Sequence, residues 1–111
     1  MLVFESDNII LPRVNKRYTK NFSLTTEYRN GKKLITDTMF YNRIKQIEPP
    51  YEVVIEIVTH HDIDSSVKPI LDSLQMSGII DNDKNIERLV IEKTKCKRNE
   101  PNKLQIYCMT I

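Results

Sequence analysis

The run Tyr51-Glu-Val-Val-Ile-Glu-Ile-Val-Thr59 sets the frame for the rest of the chain. Val53, Ile55 and Ile57 fall on one face of an extended segment, a period of two that predicts a strand with a buried side. Beyond it, Ser65 or Ser66 is placed to cap a helix with Pro69 in its first turn and Gly78 at its end. Val67, Ile70, Leu71 and Leu74 give that helix an apolar stripe. Upstream, Thr36 or Asp37 can start a helix running to about Ile47, with Met39, Phe40, Ile44 and Ile47 at helical spacing and Pro49-Pro50 as its stop. A first strand is expected over Asn8–Leu11, ended by Pro12, and Asn30-Gly31 reads as a turn. Ile86–Lys95 and Lys103–Thr110 read as strands joined through Arg98-Asn-Glu-Pro-Asn102. The expectation is a single α+β domain over residues 1–111. It has a mixed β-sheet packed by two main helices and closed by a C-terminal β-hairpin.

At 111 residues the chain has room for one core, and with 40% apolar and 29% charged residues wholesale disorder is not expected. The segment Met1–Asn8 has no basic start before a long apolar run, so it reads as neither signal peptide nor membrane anchor. Cys96 and Cys108 lack CxxC spacing and read as two reduced strand residues, which suits the cytoplasm. The net charge of +2 hides a strong pattern: residues 1–33 carry +4, residues 34–83 carry −6, and residues 84–111 carry +4. Basic flanks suit a phosphate backbone, and an acidic middle tolerates one when cations intervene. Arg13, Lys16, Arg17, Lys20 and Arg29 lie among Tyr18, Phe22 and Tyr28, the mixture of cations and rings a nucleic-acid contact loop needs. Aromatics that merely pin the loop to the core would give the same pattern.

The chemistry concentrates where the best strand ends, in His61-Asp-Ile-Asp-Ser-Ser-Val-Lys68. If the chain stays extended there, Asp62 and Asp64 point the same way and repel each other until a proton or a cation intervenes. Lys68 opens the following helix. A second acidic cluster, Asp81-Asn-Asp-Lys-Asn85, follows Gly78 and can return beside the first. Ligands that are all carboxylate oxygens suit Mg²⁺, with Mn²⁺ as a substitute, rather than zinc. Such a site supports phosphodiester hydrolysis, in which Lys68 offsets charge developing on the phosphorane or the leaving oxygen. An EF-hand over Asp81, Asp83, Asn85 and Glu92 fails because its sixth position is Ile86 instead of glycine, and the last residues read as strand. His61 is placed to contact a phosphate or base, whereas His60 reads as a packed strand-end residue.

Asp62-Ile-Asp64, Lys68-Pro-Ile-Leu-Asp72-Ser-Leu74, Gly78 and Asp81-Asn-Asp83-Lys-Asn-Ile86 together resemble the RusA family of Holliday-junction resolvases. Leu11-Pro12 and Asn15-Lys16-Arg17-Tyr18 resemble that family's first-strand exit. The resemblance implies a dimeric, Mg²⁺-dependent endonuclease that makes paired nicks in four-way DNA junctions. It puts Asp62, Asp64 and Asp83 in the places of the metal carboxylates and Lys68 in that of the catalytic lysine. Two positions depart from the pattern. Ser65 stands where an asparagine is usual, and Asn82 stands where the first member of the acidic pair is expected. Counting back from Ile86 favours Asp83 as third ligand and leaves Asp81 as an alternative. A homodimer also suits a two-fold symmetric junction that needs two cuts.

Overall fold

Tyr51–Thr59 forms the predicted strand (β2) in a computed structural model that describes residues 1–13, 25–42 and 45–111. Its alternate side chains Tyr51, Val53, Ile55, Ile57 and Thr59 are all buried, while Glu52, Val54, Glu56 and Val58 between them remain partly exposed. The remaining elements, in chain order, are β1 (Leu2–Ile9), α1 (Thr26–Tyr41), α2 (Asp64–Met76), a 3₁₀ turn (Asp83–Asn85), β3 (Ile86–Lys95) and β4 (Asn102–Thr110). The four strands make one mixed sheet in the order β1-β4-β2-β3. β2 runs parallel to β3, with Ile55 opposite Ile91, and antiparallel to β4, with Ile55 opposite Ile106. The buried face meets Ile35 and Met39 of α1 and Ile70 and Leu74 of α2 in one apolar cluster with Leu104, Ile106 and Cys108. Each fully buried Ile or Leu contributes about 1.5–3 kcal/mol over leaving it in water. The α+β class and the mixed sheet with two helices are as expected.

The hairpin is corrected. β3 and β4 do not pair, because β2 lies between them and uses both of its edges. Residues 96–101 therefore carry the chain past two strand spacings, roughly 10 Å, instead of turning back on a neighbour. Consequently β2 and β3 end side by side, and the Cys96 amide donates to the Thr59 carbonyl at 3.3 Å.

The first helix is also corrected. It begins ten residues before Thr36, with the Thr25 hydroxyl accepting the Tyr28 N–H, and it ends at Tyr41. Its buried stripe is Tyr28, Gly31, Ile35 and Met39. That phase brings Met39 inside and leaves Phe40 on the surface, 65% exposed. Ile47 lies beyond the helix and is packed against the core, while Ile44 falls outside the described residues. Gly31 sits in a helix instead of a turn for a steric reason. A Cβ there would lie 2.6 Å from the carbonyl oxygen of Ile10 and 3.0 Å from the ring of Pro12. The helix thus crosses the exit of β1 at backbone contact, directly before Arg13. The first strand itself is Leu2–Ile9, with register shifts on both sides of its middle. The polar stretch Glu5–Asn8 interrupts its apolar pattern.

At the second helix, neither Ser65 nor Ser66 is the cap. Ile63 is already in helical conformation, and its carbonyl accepts the amides of Ser66 and Val67. Starting the helix at Asp64 places Pro69 in the second turn, where it cannot donate to the Ser65 carbonyl. Gly78 ends the helix as expected, at φ +82°, a left-handed conformation that a side chain would strain.

The cysteines give a simple check on this packing. Cys108 is fully buried, and burial pushes its thiol up to about 11, whereas Cys96 is partly exposed. Thiol titration at pH 8 should therefore find one fast-reacting group in the native protein and two in denaturant, since only thiolate reacts. Two fast thiols without denaturant would contradict the buried placement of β4. Among the described residues no helix is long and apolar enough to cross a membrane.

Candidate active site

The strand β2 stops at Thr59, whose hydroxyl accepts the His61 amide at 3.1 Å. This turns the chain out of the sheet before Asp62. The alternation argument for Asp62 and Asp64 is therefore corrected, because Ile63 between them is helical and Asp64 is the first residue of α2. Both carboxylates are exposed, and neither has a hydrogen-bond or ion-pair partner among the described residues. Asp64, Lys68 and Asp72 follow at intervals of four, so they line one face of α2 at about 6 Å of rise per step.

Lys68 is the hub of this face. Its Nζ lies 3.2 Å from Asp72 Oδ1 and 3.5 Å from Asp83 Oδ2, and Lys32 of α1 reaches Asp72 at 3.5 Å. The Asp72 carboxylate first, and Asp83 after it, hold the Lys68 ammonium above its ordinary range. Lys68 remains largely exposed, so these are screened surface pairs that position charge more than they stabilise the fold.

Asp83 is delivered by a tightly tied turn. Its amide donates to Gln75 Oε1 at 3.2 Å, near the far end of α2. The neighbouring Asp81 anchors the turn to the sheet. Its Oδ1 accepts the Tyr51 hydroxyl at 3.0 Å, the Asn85 amide at 3.0 Å and the Asn82 backbone N–H at 2.6 Å. The Tyr51 oxygen accepts the Asp81 amide in return, at 3.1 Å. The Asn85 and Tyr51 hydrogen bonds, in that order, hold the Asp81 carboxyl below the usual carboxylate range. One Asp81 oxygen is thereby committed to holding the turn, while the Asp83 carboxylate faces Lys68.

On the other side of the strand end, Arg13 Nη1 donates to His61 Nδ1 at 3.0 Å. Burial, and then the Arg13 charge, lower the His61 pKa, so the neutral ring accepts from Arg13. Protonation would set two cations against each other. The His61 ring packs on His60 with centroids 3.9 Å apart. Of the expected DNA-contact residues, Arg13 and His61 thus meet each other, while Asn15, Lys16 and Arg17 lie outside the described residues.

The structure brings Lys68 to Asp83 and puts Asp64 one helical turn away on the same face. Among the described residues no three His, Cys, Asp or Glu side chains converge closely enough to hold a metal ion. The donor set nevertheless suits a hard cation. Among the described residues Asp62 and Asp64 offer exposed carboxylates without partners, and Asp83 adds a third whose ion-pair partner is the Lys68 ammonium. Sequence reasoning left Asp72, Lys32, Tyr51 and Gln75 without a role. The spacing of four from Lys68 to Asp72 could have found the first; the others are joined to the site only by tertiary contact. No protein-family model matches the chain, and no curated protein matches it.

Proposed function

We propose that the chain is a divalent-metal-dependent DNA endonuclease of the RusA-like kind, cutting four-way junctions by paired nicks as a homodimer in the cytoplasm. The observation that carries the reading is the face of α2. A cationic Lys68 stands between Asp64, which has no partner among the described residues, and the two carboxylates Asp72 and Asp83, with Arg13 and His61 at the adjoining strand end. Asp62, Asp64 and Asp83 would hold Mg²⁺ or Mn²⁺. The chemistry that such a cation supplies is polarisation of the phosphate and acidification of the attacking water. The residues themselves do the rest. Lys68 neutralises Asp83 and Asp72 while DNA is absent, then offers its ammonium to charge developing on the phosphate oxygens. Asp81 and Tyr51 hold the turn so that Asp83 stays on the Lys68 side. Arg13, kept in place by neutral His61, meets the backbone.

The test compares labelled four-way, forked and linear duplex DNA, each incubated with Mg²⁺ or EDTA. The expected result is metal-dependent cutting confined to the branch point of the four-way substrate. Cutting of forks or flaps alone would shift the substrate, and tight junction binding with no cutting would make the chain a binding protein. Equal cutting of linear duplex would sink the junction reading.

A further inference from the structure

The parallel pair β2 and β3 ends beside the start of α2, and the carboxyl ends of parallel strands are where open sheets build ligand sites. There, the chain leaving β3 forms a groove of about 840 Å³ lined by His60, Lys95, Lys97, Arg98 and Glu100, among others. Among the described residues, none of the three cations has a carboxylate within 4 Å. Glu100 is the only acidic lining residue, and its Oε1 is occupied by the Lys97 backbone amide at 3.1 Å. One wall holds a polar atom shut off from water, His60 Nδ1, with no hydrogen-bond partner among the described residues. Three cations converging on one open groove repel each other unless an anion lies between them. At about 840 Å³ the open groove exceeds what a single phosphate fills, and three cations within residues 95–98 suit a polyanion.

We infer that this groove is a second DNA-contact site that binds the phosphodiester backbone through Lys95, Lys97 and Arg98. The inference rests on the DNA-cleaving reading and adds a surface formed by the chain leaving β3, beside the strand end that carries His61 and Arg13. His60, in the groove wall, is two residues from Asp62, a separation of at most ~7 Å. At ~3.4 Å of rise per nucleotide, a strand against His60 lies within about two nucleotides of Asp62. The groove would therefore hold the arm next to the cut.

The test is binding of four-way and linear DNA by fluorescence anisotropy in EDTA, across a range of salt. It uses the wild type, the double variant Lys97→Glu/Arg98→Glu, and the charge-matched control Lys45→Glu/Arg88→Glu. Arg88 lies opposite Glu52 at the other end of β2, and Lys45 precedes that strand by six residues. Losing two phosphate contacts should flatten the log-log salt dependence by about 1.8 and weaken binding at least tenfold. The control should stay within about threefold of wild type, and circular dichroism should show all three proteins folded. Wild-type binding with an unchanged groove variant overturns this site alone. An equal loss in the control also overturns it, because only net charge would then matter. A wild-type chain that binds no DNA overturns both the groove and the nuclease reading.

Discussion

Replacing Asp64 with asparagine should abolish cleavage while leaving junction binding intact or tighter. Asp64 is exposed, heads α2, and has no partner among the described residues, so the fold does not depend on its charge. On the proposed reading, the substitution would remove one anionic oxygen from the cation's donor set and one negative charge from the path of the phosphates. These effects act in opposite directions on chemistry and on binding. Loss of one group that stabilises transition-state charge costs about 10²–10³-fold in rate, and loss of a ligand that also positions the cation should reach the upper end or beyond. Binding, governed by Coulomb terms, should hold or improve by a small factor. Cleavage kinetics under single-turnover conditions, paired with anisotropy in EDTA, separate the two. Wild-type cleavage by Asp64→Asn would remove Asp64 from the metal site.

Gly31→Ala should destabilise the protein, against the usual trend for a glycine within a helix. Alanine gains about 1 kcal/mol of helix propensity over glycine. Here its Cβ would stand 2.6 Å from the Ile10 carbonyl oxygen and 3.0 Å from the Pro12 ring. Neither obstacle is a flexible side chain, so relief requires moving α1 away from the exit of β1. Overpacking of this kind costs roughly 1–3 kcal/mol, and backbone contact belongs at the upper end. The net expectation is a loss of about 1–2 kcal/mol, read as a lower urea midpoint at unchanged slope. Because the same contact precedes Arg13, the variant should also weaken DNA binding more than its stability loss implies. A raised midpoint would mean that the β1 exit yields freely and that Gly31 has no packing role.

The parts of this fold legible in the sequence are those where one local signal dominates. β2 and β3 were readable to the residue because branched apolar side chains recur along both and neither contains proline or glycine, and Gly78 because a left-handed helix end needs glycine. The parts that were not legible depend on partners distant in the chain. Gly31 looks like a turn until Ile10 is brought against it. β1 is hidden by its polar Glu5–Asn8 stretch, which only pairing with β4 makes extended. The β3–β4 connection looks like a hairpin because proximity in sequence says nothing about which strand enters between.

The site divides in the same way. Lys68 and the carboxylates were singled out by residue type, spacing and the family resemblance, whereas their arrangement follows from where β2 ends. Because Thr59 and helical Ile63 turn the chain early, Asp62 and Asp64 lie at the head of α2, and Asp83 is tied near its foot through Gln75. Asp72, four residues beyond Lys68, joins the two halves through the lysine. The roles of Asp81 and Asp83 also separate only in three dimensions, since Tyr51 reaches the former and Lys68 the latter.

Asp62, Asp64 and Asp83 are proposed to serve one divalent-cation site, and paramagnetic Mn²⁺ tests this directly. Titrated at substoichiometric levels into ¹⁵N-labelled protein, Mn²⁺ should broaden the amide signals of residues 62–64 and of Asp83 together, and Asp64→Asn should suppress both. Broadening centred instead on Glu5, Glu56 and Glu92, or an absence of site-specific broadening at millimolar Mn²⁺, would contradict it.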